Sequence, residues 1–359
     1  MDLIQTLRGY SNKEVNRAGT VLSGATNDAQ EFGRALEIVS NWRTLHQAPL
    51  TLLRTMLEEE AFAADPGSLI VTRLKRIPTI TDKLDRQPTM QLSTMQDIGG
   101  ARVVVDTLLQ ARVLQERLRS FSPYFKLKLP MKDYILNPNP KSGYRGLHLV
   151  FSFQDQTEQY RKLNGLKIEL QIRTRLQHVW ATAVETVGTF RGESLKSGEG
   201  NPDWLEFFRL AGSLFADLET NMGSVPPELA ALRDVLEVQE RLGAYNLIQS
   251  VARCPELHPQ WVGAKYVVLV LNLQEGSVRV DWFAADQFAK AVERQREQEA
   301  RYLGNKNFDT VLVSVDSLTG LHEGYPNYFA DTGDFVNLVY GFRPREANYG
   351  VWANLREGA

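Results

Sequence analysis

The sequence predicts an α+β fold, a mixed central sheet flanked by helices, and three observations carry that prediction. First, two segments alternate with period two. After Gly146, Leu147, Leu149, Phe151 and Phe153 share one face, with His148 on the other. In Gly165 to Arg173, Leu166, Ile168, Leu170 and Ile172 share a face, opposite Lys167, Glu169, Gln171 and Arg173. Second, stretches before and after these strands carry apolar residues at helical three-and-four spacing. Third, the C-terminal part reads as a hairpin followed by a helix and a further strand.

The elements follow in order. To about Asp65 the chain is helical, with Leu36, Val39, Trp42, Leu50, Leu53, Met56 and Leu57 as its apolar positions, and Asp65-Pro66-Gly67-Ser68 ends it. Ile98 to Val105 is rich in Val and Ala and reads as a buried strand, and Leu108 to Leu118 returns to helical spacing. Beyond the two alternating strands, Gln177 to Val187 is helical. Trp204, Phe207, Phe208, Ala211, Phe215 and Leu218 then make an apolar helix stripe. Pro226-Pro227 precedes a helix to about Val251, and Cys254-Pro255 and His258-Pro259 read as a linker. Tyr266 to Leu273 and Ser277 to Phe283 flank Gln274-Glu275-Gly276 as a hairpin. Phe288 to Tyr302 is a charged helix, and Thr310 to Val315 a strand. The expected division is residues 1–255 and 260–359.

At 359 residues the length fits two domains at roughly 150 residues each. Lys and Arg total 41 against 43 acidic residues, so bulk charge does not drive binding to nucleic acid, and any RNA contact needs a local basic patch. The single cysteine, Cys254, excludes an intrachain disulfide and a thiolate-rich zinc site. No apolar run approaches the ~18 residues of a membrane span, so the expectation is a cytoplasmic chain with no membrane partner.

The residues suited to chemistry cluster between Arg73 and Glu185. Lys75, Thr79 and Lys83 are four apart, on one face if the segment is helical, with Pro78 in a first turn. With Arg73 they could cradle a polyphosphate; taken alone, they could equally be a solvated face. Asp97 stands at the entry of the Ile98–Val105 strand, followed by Gly99 and Gly100, and can project a carboxylate toward a metal held by phosphate oxygens. Alone it could be a turn aspartate. Arg102 lies further along that strand. Gly143-Tyr144-Arg145-Gly146 is expected to expose an aromatic face and a cation in a flexible loop, as a base-stacking platform. His148, Glu169, Gln171 and Arg173 add polar groups on neighbouring strands, and His178, Trp180 and Glu185 lie on the next helix.

In this order the motifs resemble the synthetase domain of RelA/SpoT proteins, over roughly residues 70 to 190. That resemblance implies a nucleotidyltransferase-like fold and an ATP-dependent pyrophosphotransferase. Arg73 and Arg102 would sandwich the adenine of ATP, and Lys75, Thr79 and Lys83 would hold its phosphates. Asp97 and Glu169 would bind Mg²⁺, with Glu169 also activating the attacking hydroxyl. Tyr144 would stack on the acceptor base, and His148 and Gln171 would support acceptor and phosphates. Thr79 stands where serine is usual, and Gly146 where serine is common. None of the 5 histidines is followed by Asp, so no His-Asp hydrolase motif accompanies the synthetase.

The run Gln177 to Gly188 and the Trp204–Phe208 segment further resemble toxic small alarmone synthetases. Tyr325-Pro326-Asn327-Tyr328 resembles the Tyr-x-x-Tyr element of CapRel-type fused toxin–antitoxin proteins, whose C-terminal pseudo-zinc-finger domain folds over the synthetase site. The resemblance implies pyrophosphate transfer to the 3′-CCA end of tRNA, autoinhibition through Tyr325 and Tyr328, and release by a phage structural protein such as a capsid protein. The acceptor alternatives are GDP, GTP or an adenine nucleotide, and the alternative of another class is an inactive RNA- or protein-binding module. Lys13, Arg17, Arg161 and Lys162 are candidate tRNA grips, and the chain is expected to act as a monomer.

Overall fold

The computed structural model describes residues 9–24, 28–119, 122–220, 229–242, 265–272, 277–302, 305, 308–314 and 332–340. Three helices come first: α1 (Asn12–Ser23), α2 (Ala29–Leu45) and α3 (Gln47–Ala64). Helix α1 starts at a capping box in which Ser11 and Glu14 satisfy each other's backbone N–H groups, and Asp28 caps α2. Between α2 and α3 lies a fully buried His46, whose ring Nδ1 donates to the Trp42 carbonyl at 2.8 Å. Burial lowers the His46 pKa to about 4, against the weaker pull of that hydrogen bond, so the ring sits in the core uncharged.

Next come β1 (Leu69–Leu74), α4 (Ile77–Arg86), β2 (Gly99–Val105), α5 (Leu108–Arg117), β3 (Phe125–Asp133), β4 (Leu147–Phe153) and β5 (Lys167–Thr174). Helix α6 (Arg175–Arg191) follows β5 through a capping box of Thr174 and Gln177, and α7 (Pro202–Thr220) and α8 (Leu229–Leu242) complete the helical layer. The predicted strands at 98–105, 147–153 and 166–173 are all present, with the alternation expected. In β4 Leu147, Leu149, Phe151 and Phe153 are buried, while His148, Val150 and Ser152 on the other face are partly exposed. Strands β1 and β3 carry weaker alternation, and sequence reading passed over both.

The C-terminal part supplies β6 (Tyr266–Asn272), β7 (Ser277–Phe283), α9 (Phe288–Arg301), β8 (Phe308–Ser314) and α10 (Gly333–Tyr340). Its strands continue the same sheet, which runs β3-β4-β5-β2-β1-β8-β6-β7. The join is short: β8 meets β1 antiparallel at Thr72↔Ser314 and Arg73↔Val313. Among the described strands only β2 and β5 pair in parallel, so the sheet is mixed, as predicted. A buried ion pair, Arg43 to Glu299 at 2.9 Å, ties α2 to α9. Phe335 of α10 packs among Phe207, Phe208 and Phe215 of α7. One face of the sheet closes over the apolar core from α3, α5 and the inward residues of β2, β4 and β5. The opposite face holds the polar positions. No described helix is long and apolar enough to cross a membrane.

Candidate active site on the polar face of the sheet

Strand register converts three separate motifs into rows. Directly paired residues share a face, so Lys128, Val150, Glu169, Gly100 and Arg73 form one row across β3, β4, β5, β2 and β1. Lys132, His148, Gln171 and Arg102 form the next. Between Glu169 and Arg73 stands Gly100, which has no side chain. The row therefore has a recess flanked by a carboxylate and a guanidinium, and a Cβ there would meet only the Arg73 carbonyl, at 3.8 Å.

Helix α4 begins at Ile77, with Pro78 in its first turn where the missing N–H does no harm. Lys75 thus lies before the helix and not on its face with Thr79 and Lys83, as the spacing suggested. Both lysines nevertheless converge on Asp97: Lys75 Nζ reaches Oδ2 at 3.0 Å and Lys83 Nζ reaches Oδ1 at 3.0 Å. Thr79 lies one turn before Lys83. Burial pushes Asp97 up, but the two ammonium groups outweigh it and hold the carboxyl below its usual range. Burial lowers Lys75 more than Asp97 raises it.

A second network centres on Glu169. His148 Nδ1 lies 3.1 Å from Glu169 Oε1, and Gln171 Nε2 donates to Oε2 at 3.0 Å. Arg173 Nη2 donates to Gln171 Oε1 at 2.6 Å, and the Tyr144 hydroxyl lies 2.6 Å from His148 Nε2. Burial lowers the pKa of His148, so its ring is neutral near pH 7; Nδ1–H then donates to Glu169 and Nε2 accepts from Tyr144. Burial raises Glu169, but the hydrogen bonds from His148 and Gln171 and the charge of Lys83 leave it well below the usual carboxylate range. Asp97 and Glu169 are near enough to repel each other, and that repulsion acts upward on Asp97.

Three expectations need correction. Tyr144 does not expose its ring: it is 4% exposed, packed edge-on against Tyr134 and His148, with Arg173 over its face at 5.4 Å. Arg145 is no free loop cation, since it is buried in an ion pair with Glu219, whose other oxygen accepts from Thr174. Arg173, expected on the polar face of β5 opposite its apolar residues, is itself 1% exposed. Helix α7 covers the loop itself, so closely that a Cβ at Gly143 (φ +79°) would sit 2.9 Å from the Arg209 Cα, and its Glu219 holds Arg145. Gly146 has its own reason. Its φ is +150°, and a Cβ there would come within 3.0 Å of the Tyr144 hydroxyl.

The structure adds Lys196, which sequence reading missed, to Glu185, which it placed on the helix after β5 without giving it a role. Glu185 of α6 is half-buried and pairs with Lys196 at 2.5 Å; burial raises it, but Lys196, Arg102, Arg173 and Arg73 together hold it far below its usual pKa. Lys196 lies on the turn Leu195–Ser197 and stands 5.1 Å from the Tyr144 ring centroid. Burial and the nearby Arg173 lower its pKa to about 7 despite Glu185. The one available signal was a cation bracketed by Gly192, Gly198 and Gly200. His178 and Trp180, on the same helix as Glu185, belong to the core instead: both are buried, and Trp180 Nε1 donates to the Phe208 carbonyl at 2.8 Å. Tyr325 and Tyr328 lie outside the described residues.

The donor set fits a magnesium nucleotide. Among the described residues no cluster of three or more His, Cys, Asp or Glu could hold a metal alone. Two adjacent carboxylates, Asp97 and Glu169, surrounded by lysines are what Mg²⁺ takes when phosphates complete its shell.

Residues 72–190 match the family described as "Region found in RelA / SpoT proteins". An uncharacterized protein of Mycobacterium tuberculosis is 29% identical over 215 residues, covering 60% of this chain and 70% of that protein. GTP pyrophosphokinase YjbM of Bacillus subtilis is 31% identical over 132 residues, covering 36% of this chain and 60% of that protein. The crystal structure of small alarmone synthetase 1 from Bacillus subtilis aligns with a TM-score of 0.43 at 23% identity, over 51% of this chain and 93% of that one. The matched residues 72–190 span the rows just described.

Proposed function

We propose that this chain is a pyrophosphotransferase that moves the β,γ-pyrophosphate of ATP to a ribose hydroxyl at the 3′-CCA end of tRNA, releasing AMP and the hydroxyl proton, and so stops translation. The observation that carries the reading is the Asp97–Lys75–Lys83 cluster beside Glu169. Phosphoryl transfer asks a protein mainly for positioning and charge neutralisation, and this cluster offers both. Lys75 and Lys83 each occupy one oxygen of Asp97; turned toward a triphosphate, they leave that carboxylate to hold Mg²⁺ together with Glu169. Bound Mg²⁺ would offset the charge on the phosphate oxygens. Arg73 and Arg102 flank the recess at Gly100 and are assigned to the adenine, with Thr79 on the phosphates. Glu169, ionised and oriented by His148 and Gln171, accepts a hydrogen bond from the attacking hydroxyl. Its low pKa suits orientation more than strong general-base action.

Control is assigned to residues 260–359. Tyr325 and Tyr328 would cover the ATP site, with Tyr328 between Arg73 and Arg102, until a phage structural protein binds the open form better. Strand β8 pairs with β1 at Arg73↔Val313, so the C-terminal part of the sheet borders a residue assigned to the adenine. A second reading keeps the reaction and makes the acceptor GDP or GTP, or an adenine nucleotide; the name of the Bacillus subtilis relative favours the guanine form. The reading as an inactive binding module is disfavoured because both carboxylates are retained. The test incubates the purified full chain with ATP labelled at the γ-phosphate and, separately, bulk tRNA, GDP, GTP or AMP. Label on tRNA alone supports the first reading, label on a nucleotide the second, and label on none sinks both.

A further inference from the structure

The polar rows do not stop at the site. They continue to the open edge of the sheet, where β3 places Lys128 in the row of Glu169 and Lys132 in the row of His148 and Gln171. One pair further along, Lys126 faces Ser152, which faces Lys167. Lys126, Lys128 and Lys132 are exposed, and none is paired with a carboxylate among the described residues. Lys167 is half-buried and donates to the Thr94 carbonyl at 3.1 Å; burial and the charge of Lys128 lower its pKa. Among the described residues these like charges face each other with no carboxylate paired to them, in a chain whose net charge is −2. By contrast, two of the basic residues first suspected of gripping RNA already have partners: Arg17 with Glu31 at 3.2 Å and Arg161 with Glu158 at 3.5 Å.

We propose that Lys126, Lys128, Lys132 and Lys167 form a track for the phosphate backbone of an RNA strand, whose terminal nucleotide it delivers to Glu169. The proposal rests on the pyrophosphotransferase reading for the identity of the end delivered. Its geometry favours a linear polyanion. Lys126 to Lys132 spans up to about 20 Å of strand, longer than the phosphates of one nucleotide. Lys126 and Lys128 lie about 7 Å apart, and Lys132 up to about 13 Å further on, past an irregularity in the pairing. The track leads into a recessed site, which a flat anionic membrane would not follow. Tyr124, 41% exposed, and Leu129, 73% exposed, flank the lysines and offer apolar surface to bases or sugars.

The test compares the full chain with the triple variant Lys126→Gln/Lys128→Gln/Lys132→Gln, all at exposed positions, by fluorescence anisotropy without ATP. The probes are a labelled single-stranded RNA with a free 3′ hydroxyl and phosphatidylserine vesicles. The triple variant is expected to bind RNA at least about tenfold more weakly near 0.1 M salt. The slope of log affinity against log salt should fall by about 2, from roughly 0.7 per lost single-strand phosphate contact. Equal affinity and slope in both proteins, no RNA binding by the wild type, or binding to vesicles but not RNA would each overturn the track. Labelling from ATP, run in parallel, separates the two claims. If RNA binding depends on the lysines but no acceptor is ever labelled, the track stands and the transfer reading falls. If RNA is bound and labelled equally by both proteins, the reverse holds.

Discussion

The two wings of the sheet carry similar alternating strands and put them to different use. On the wing of β4, β5 and β2, outward charges interlock in a recess under α4 and α6. Lys75 and Lys83 share Asp97, and Tyr144, His148, Glu169, Gln171 and Arg173 form a chain of hydrogen bonds. On the wing of β8, β6 and β7, Asp281 pairs with Arg294 at 2.8 Å and lies 3.8 Å from Arg279, with these side chains 25%, 34% and 42% exposed. The first wing holds its charges out of water, where each shifts its neighbours' protonation; the second leaves them where solvent screens them. An amphipathic strand becomes a site only when covering elements remove the water from its polar side.

The sharpest way to break this comparison is to make the same chemical change on both wings. Asp97→Asn or Glu169→Gln should lower label transfer by at least about 10³-fold, roughly 4 kcal/mol, while circular dichroism stays that of the wild type. Near wild-type transfer from either folded variant would remove the metal assignment.

Next in size is the tie between the wings. Glu299→Ala leaves Arg43 buried without its carboxylate and should cost about 3–5 kcal/mol in urea unfolding. A loss under about 1 kcal/mol would mean that α2 and α9 do not depend on each other.

Acid should act through His46. Its folded pKa lies below its unfolded one, so the unfolded chain binds the extra proton. The stability tied to the neutral ring is complete above about pH 6.5 and is lost as pH falls toward 4. The 2.5-unit gap between 6.5 and about 4 corresponds to about 3 kcal/mol at most. His46→Gln should flatten that part of the urea midpoint–pH curve, and an unchanged slope would assign the acid sensitivity elsewhere.

Tyr144 separates packing from polarity within the active wing. Tyr144→Ala removes the buried ring that positions His148 and through it Glu169, and should reduce acceptor use about 10- to 100-fold with little change in ATP affinity by calorimetry. Tyr144→Phe, which loses only the hydroxyl on His148, should cost less than about tenfold. Equal loss of ATP affinity in the alanine variant would move Tyr144 to the donor side. The smallest effect is expected on the other wing: Asp281→Asn should change stability by under about 1 kcal/mol and leave transfer as it was.

Much of this was legible one segment at a time. The alternation of β4 and β5, the helix stripe of α7, the first-turn Pro78 and the acid before Gly99-Gly100 all report on neighbours within a turn or two, where side-chain direction follows from backbone period. The sequence by itself determined the α+β class and the polar side of each strong strand, and its resemblance to RelA/SpoT synthetases grouped Asp97, Glu169 and Lys83. Only the tertiary structure decided which polar residues stand side by side. Register across β3, β4, β5, β2 and β1 aligned Lys128 with Glu169 and Arg73; α7 buried Tyr144 and Arg145; and a glycine-bracketed turn carried Lys196 to the Tyr144 ring. Period two says which face a side chain takes. It says nothing about which distant strand pairs with it, because that depends on packing energy summed over the whole sheet.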